Sequence, residues 1–205
     1  MKKQYLYTVS KEYRRYLKVD CGHEYVYYSD KANENRRPFL GIIIEKAGQH
    51  YYIPLTSPKK KHEKMKSGLD VEKIYSNKKL IGLLNINNMI PVSLKDVQEI
   101  NIDRLMQSNN LSDRQWGQLI IKDINVITEA YPRIVEKANM LYDKYMDGTL
   151  IKPLRKRCLN FGEMEKDLKR WIQEKTSEVS LHSSKPKLKI RFSSKSSGNQ
   201  KGQSR

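Results

Sequence analysis

Apolar and polar residues alternate along the first half of this chain, whereas apolar residues recur every three or four positions along the second, so the two halves predict different secondary structure. "QYLYTV" alternates as a strand does, and "FLGIIIEKAGQHYYIPL" reads as two strands joined by a hairpin turn at Ala47-Gly48-Gln49. A further apolar run, "KLIGLLNINNMIPV", predicts one core strand stopped by Pro91. Later the period lengthens. Ser112 and Gln115 form a capping-box pair ahead of Trp116, Leu119, Ile120, Ile124 and Ile127, which share one helical face. Pro132 suits the first turn of a separate helix with Ile134, Ala138, Leu141 and Tyr145 as its stripe. Asn160 and Glu163 mark another helix start before Met164, Leu168, Trp171 and Ile172. All three stripes read as core. The predicted class is α+β, a small barrel-like antiparallel sheet with helices packed on it afterwards. One domain is expected over 1–173. From Glu174 onward nine serines and few apolar groups predict a disordered basic tail, 174–205, in which only "KLKIRF" alternates as a strand would.

Charge narrows the partner class. Forty Lys and Arg against 23 Asp and Glu give a net charge of +17, a field that attracts polyanions and raises their encounter rate. Residues 1–66 hold 15 basic and 7 acidic groups and residues 174–205 hold 8 and 2, so the excess lies at the two ends. Nucleic acid is the leading partner. No apolar run approaches a membrane span, and "MKKQYLYTVSKEYRR" lacks the apolar stretch of a signal peptide, so a cytoplasmic protein without a membrane partner is expected. Cys21 and Cys158 stand alone among four scattered histidines, and Cys21 with His23 would make at most half a metal site. Neither a metal nor another cofactor is expected.

The candidate chemistry sits where "YYIPLTSPKKKH" leaves its strand. A turn at Pro58 would gather the Thr56 and Ser57 hydroxyls, nearby backbone N–H groups and the Lys59 ammonium around one concave point, which suits a phosphate. The same residues could form a solvated turn whose lysines guard a strand edge. A second basic stretch, "NENRRPFLG", favours the cradle. It enters the neighbouring strand of the hairpin at the end far from the turn, so antiparallel pairing brings Arg36 and Arg37 beside Thr56, Ser57 and Lys59.

"FLGIIIEKAGQHYYIPLTSPKKKH", "LIGLLNINNMIPV" and "CLNFGEMEKDLKRW", in that order, resemble the ToxN/AbiQ family of type III toxin–antitoxin endoribonucleases from about Tyr5 to Ile172. The resemblance implies an SH3-like barrel of the MazF and Kid kind, elaborated by C-terminal helices. It also implies RNA cleavage without metal, a role in abortive phage infection, and inhibition by a repeated pseudoknot RNA within a cyclic toxin–RNA assembly. The family's active-site Thr, Ser and Lys carry over to Thr56, Ser57 and Lys59. Some relatives place a lysine where this chain has Arg37, which can clamp a phosphate but cannot act as a base. An upstream tyrosine of the family has three candidate counterparts, Tyr25, Tyr27 and Tyr28, among which the loop length gives no choice.

RNA carries its own nucleophile in the 2′-OH, and attack on the adjacent phosphate would leave a 2′,3′-cyclic phosphate and a 5′-OH. Lys59, Thr56, Ser57 and Arg37 are assigned to the developing charge. His62, whose ordinary pKa is near neutrality, is the candidate proton donor to the leaving group. Arg36, Lys60, Lys61, Lys64 and Tyr28 are the candidate RNA-binding residues. A noncatalytic RNA-binding protein using the same basic groove is the alternative, and a DNA-binding regulator lacks a basic reading helix.

Overall fold

The computed structural model describes residues 5–30 and 36–183. Seven strands, β1 (Tyr5–Val9), β2 (Phe39–Lys46), β3 (Gln49–Thr56), β4 (Val71–Ser76), β5 (Lys79–Asn85), β6 (Ile90–Val92) and β7 (Val97–Glu99), pair only in antiparallel fashion. Their order is β4-β5-β3-β2-β1-β7, with β6 also on β3. One edge of β3 is covered by β2; along the other, His50–Tyr52 pair with β6 and Leu55–Thr56 with β5. Pro54, which has no N–H to donate, lies where that second ladder changes partner. Nothing among the described residues joins β4 to β7, so the sheet is open rather than the closed SH3-like barrel expected. Closure depends on stagger and on the meeting of first and last strands, which a period-two pattern does not encode.

The hairpin forms as its sequence predicts. Ala47 and Gly48 both take positive φ, 51° and 71°, giving a two-residue turn whose twist matches the strands. At Gly41 a Cβ would stand 1.9 Å from the Tyr52 ring, so only glycine lets that ring pack across β2 and meet Tyr7 edge-on. The run 79–92 is not one strand. A 3-10 turn at Ile86–Asn88 separates β5 from β6, and Pro91 lies inside β6, where its carbonyl accepts the Tyr13 hydroxyl at 2.9 Å. Composition marks the run as apolar, but the chain turns within its "NINN" stretch, which hydrophobicity averages away.

Two predicted helices are one. The helix Leu111–Met146 begins with Asn110, whose Oδ1 accepts the Ser112 N–H at 2.8 Å, and continues through Pro132. With the short helices Lys11–Arg15, Lys60–Lys64, Ile102–Met106 and Lys152–Arg155 it is α4 among the described residues, whose helices are numbered α1, α2, α3, α4, α5 and α6 along the chain. An interior proline costs a helix about 3 kcal/mol. Ile120, Ile124, Ile127, Ile134 and Leu141 are all buried on one face spanning it. At about 1.5–3 kcal/mol for each such side chain, burial outweighs the break.

The last helix, α6 (Phe161–Ser183), opens as predicted, with Asn160 Oδ1 accepting the Glu163 N–H at 3.3 Å. It runs on past Glu174, where the composition changes; Thr176 and Ser177 hydroxyls donate back to the carbonyls of Ile172 and Gln173. "KLKIRF" lies outside the described residues. Among the described residues no helix is long and apolar enough to cross a membrane.

Buried polar groups fasten α6 to the sheet. Glu165 accepts the Tyr51 and Tyr142 hydroxyls at 2.8 and 2.6 Å, and its backbone carbonyl accepts Gln49 Nε2 at 3.0 Å. Burial, then the Glu165 carboxylate, pushes both phenols well above their usual range. His23 Nε2 meets Asp167 Oδ2 at 2.6 Å, with Arg170 on the other carboxylate oxygen. A histidine that the sequence offers only as half of a metal site thus ties the segment 21–30 to α6.

Asp123 of α4 faces β5: its Oδ1 lies 3.5 Å from where a Gly82 Cβ would stand. Burial pushes its carboxyl up from 3.8 to about 7. A carboxyl that titrates higher folded than unfolded favours the native state below its unfolded pKa, and that contribution is lost as pH rises through the folded value. Asp123 therefore weakens the fold progressively as pH rises from 3.8 to about 7, and by the full amount above that. Asp123→Asn is expected to raise stability at pH 8 by about 2 kcal/mol, roughly half the bare conversion of the shift, because solvent screens the partly exposed group. At pH 3 it should change little. Urea unfolding of both proteins at the two pH values checks the sign.

Candidate active site

Arg37 precedes Pro38, and the proline ring confines it to extended backbone. The Pro38 carbonyl accepts the Leu55 N–H at 2.9 Å, and the register that sets Phe39 opposite Pro54 puts Arg37, two residues further on, across from Thr56. There Arg37 Nη1 donates to Thr56 Oγ1 at 3.3 Å. Asn85, ending β5, donates from Nδ2 to the same oxygen at 2.8 Å. A hydroxyl has two lone pairs and one proton, so two donors occupy its acceptor capacity. Thr56 is left to donate its own O–H and is unsuited to take a proton.

Arg37 is itself clamped. Its guanidinium lies 3.7 Å from the centroid of the Tyr27 ring, a stacked cation–π contact that holds the fork's plane. Burial lowers the Arg37 pKa, which the nearby Tyr27 partly offsets, and the group stays charged at neutral pH. Tyr27 is placed in turn by Arg14, only 1% exposed, which donates to the carbonyls of Val9 at 3.1 Å and Tyr27 at 3.4 Å. These contacts build one wall of a depression of about 210 Å³, also lined by Arg36, Thr56, Ser57 and Trp116.

Lys59 follows on the adjoining turn as the N-cap of α2. Its backbone N–H donates to His62 Nδ1 at 3.0 Å, and its carbonyl accepts the His62 N–H at 2.8 Å. Burial first, then the charges of Lys61, Lys59 and Lys73, hold His62 below its usual pKa, so it is neutral at pH 7 with Nδ1 unprotonated. Its visible work is to hold the Lys59 N-cap of α2. Lys60, Lys61 and Lys64 project from α2, exposed.

Of the residues the sequence proposed, the structure gathers Arg36, Arg37, Thr56 and Ser57 into one depression. It leaves Lys59, Lys60, Lys61, Lys64 and His62 on the turn beside it. Arg36 pairs with Asp113 at 2.6 Å and lies over Trp116. Tyr28 bonds Asp30 under the Lys11 ammonium, away from the depression, while Tyr27 occupies the wall. Asn85 and Trp116 were missed. Asn85 stands within the quoted "GLLNINNMIPV" run but reads there as an interior position of one core strand, and Trp116 reads as core although it is only half-buried.

A family model described as toxin ToxN of type III toxin–antitoxin systems matches residues 5–169. The chain belongs to the ToxN family. An endoribonuclease ToxN from Bacillus thuringiensis subsp. kurstaki is 30% identical over 167 residues, covering 78% of this chain and 79% of that protein. Among solved ToxN-like structures, one concerned with selective toxin inhibition by a non-coding RNA pseudoknot superposes with a TM-score of 0.68 at 27% identity, covering 83% of this chain and 98% of that one. Another, concerned with a processed non-coding RNA that regulates a bacterial antiviral system, gives 0.67 at 26% identity over 80% and 97%. The ToxN match contains every residue of the cradle and ends within α6.

Proposed function

We propose that this ToxN family member is a metal-independent, sequence-specific endoribonuclease toxin that cleaves RNA by 2′-OH attack, leaving 2′,3′-cyclic phosphate and 5′-OH ends. The observation that carries the reading is the Thr56 hydroxyl, doubly engaged by Arg37 and Asn85 and so poised to donate. A scissile phosphate in the depression would meet the Arg37 guanidinium, the Thr56 and Ser57 hydroxyls and, reaching in from the α2 turn, the Lys59 ammonium. Each positions or neutralises a nonbridging oxygen as the phosphorane forms. Such preorganised donors are commonly worth about 3–4 kcal/mol apiece. Arg37 keeps its proton throughout; as the P–O2′ bond forms and the P–O5′ bond breaks, solvent water takes the 2′-OH proton and supplies one to the departing 5′ oxygen, while His62, capping α2, positions Lys59. A metal-assisted route would want carboxylates or imidazoles at the phosphate, whereas the walls of the depression offer guanidinium groups, hydroxyls and aromatic faces.

Likeness to the toxin inhibited by an RNA pseudoknot supports a non-coding pseudoknot RNA as antitoxin; we propose that this RNA is repeated and that it forms a cyclic assembly with the toxin in the cytoplasm. Likeness to the antiviral system supports an abortive role against phage. The MazF/Kid barrel enters as a relationship of the open sheet, whose central β3 pairs on both edges.

End-group analysis tests the chemistry. RNA incubated with the protein in EDTA should yield fragments with cyclic phosphate and 5′-OH termini, undiminished against a Mg²⁺ control. Activity lost to EDTA and restored by Mg²⁺ would overturn the mechanism, and binding without fragments would leave a noncatalytic RNA-binding protein.

A further inference from the structure

We propose that the cleft beyond Trp116 holds the base of a nucleotide flanking the scissile phosphate and thereby sets the cleavage sequence; this rests on the endoribonuclease reading above. The phosphate cradle does not end at Arg36 and Trp116. The same two side chains wall a second, larger cleft of about 780 Å³, cut between β7, α3 and the start of α4. An RNA strand whose phosphate lies against Arg37 therefore has a neighbouring space one side chain away.

The chemistry of that space differs from the cradle's. Arg36 is engaged by Asp113, whose pKa it lowers together with Ser108, so that pair presents little net charge. The remaining wall carries Gln98, Asn101, the carboxylates of Glu99 and Asp103 and the single guanidinium of Arg104, all exposed. In a chain of net charge +17, two carboxylates and a row of amides beside the cationic cradle make a poor track for phosphates. They suit base edges, which are neutral and rich in hydrogen-bonding groups: carboxylates accept from amines, and amides both donate and accept. Trp116, half-buried and held by the Arg36 guanidinium 5.7 Å from its ring centroid, lines the cleft with an aromatic ring against which an unstacked base can lie. The acidic groups match a base presenting an exocyclic amine, so uracil should be disfavoured at this position.

Sequencing the ends released from a random RNA pool tests the assignment. The wild-type protein should prefer amino-bearing bases over uracil by about tenfold or more at one position beside the cut. Glu99→Ala with Asp103→Ala, both at exposed sites, should flatten that preference by about tenfold. Lys59→Ala should instead slow cleavage at every sequence and leave the profile unchanged. Selection of bound RNA from the same pool by the Lys59→Ala protein, with and without the two cleft changes, reads the cleft without chemistry. A profile identical in wild type and the cleft double variant, or no base enrichment by the Lys59→Ala protein, overturns the proposal. Enrichment that the cleft changes abolish, in a protein whose wild type releases no fragments, would keep the cleft and remove the endoribonuclease reading.

Discussion

Arg37→Ala should lower the rate of RNA cleavage by roughly 10² to 10³, the scale seen when one preorganised donor to developing charge is removed. Two contacts disappear together: the guanidinium stacked 3.7 Å from the Tyr27 centroid, and its Nη1 donor 3.3 Å from Thr56 Oγ1. Once Thr56 regains a free lone pair, its proton is no longer directed outward. The fold should survive, because Arg37 lies before β2 and Tyr27 keeps its hold through Arg14. Arg37→Lys should recover only part of the rate, since an ammonium is a point charge that cannot both stack flat on Tyr27 and reach Thr56 as a fork does. Single-turnover cleavage beside thermal melting separates the two effects. An unchanged rate in a folded Arg37→Ala protein would place the chemistry elsewhere.

Lys59→Ala should cost cleavage roughly 10² or more with a far smaller loss of RNA affinity, if its ammonium meets charge formed only in the transition state. Lys60→Ala and Lys61→Ala remove the same charge from exposed positions on α2 and should lower affinity alone, by the modest amount of one phosphate contact, with a shallower salt dependence. His62→Ala gives an intermediate control. It leaves every lysine in place but removes the acceptor of the Lys59 N–H, so it should loosen the turn and reduce the rate less than Lys59→Ala does. Rates compared at saturating RNA, with affinities from salt titrations, distinguish these outcomes. Equal losses in all three lysine variants, proportional to binding, would make the lysine run a landing surface for RNA and nothing more.

Residues whose role follows from local chemistry were the ones legible in the sequence. The Ala47-Gly48 turn needs positive φ at both central positions, and the hairpin it closes sets Arg37 across from Thr56, so two basic stretches distant in the chain could be brought together on paper. Asn160 could be named as a cap for the same reason. Where a local signal met a tertiary one, the tertiary one won. Pro132 reads as a helix start, yet the apolar face that continues across it on α4 buries enough surface to override it. Ser112 reads as the cap, but Asn110 reaches the orphan Ser112 N–H and begins the helix earlier.

By itself the sequence determined the α+β class, the hairpin, the basic character and the family motifs, because each rests on neighbours in the chain or on summed charge. Only the tertiary structure decided that the sheet stays open, that Tyr27 rather than Tyr28 lies under Arg37, and that Asn85 completes the hold on Thr56. It also decided that His23, Glu165 and Asp167 are buried partners. For the polar partnerships the physical reason is common. A buried polar side chain exists only by virtue of a partner, and here those partners stand up to 144 residues away, where neither period nor composition can point to them.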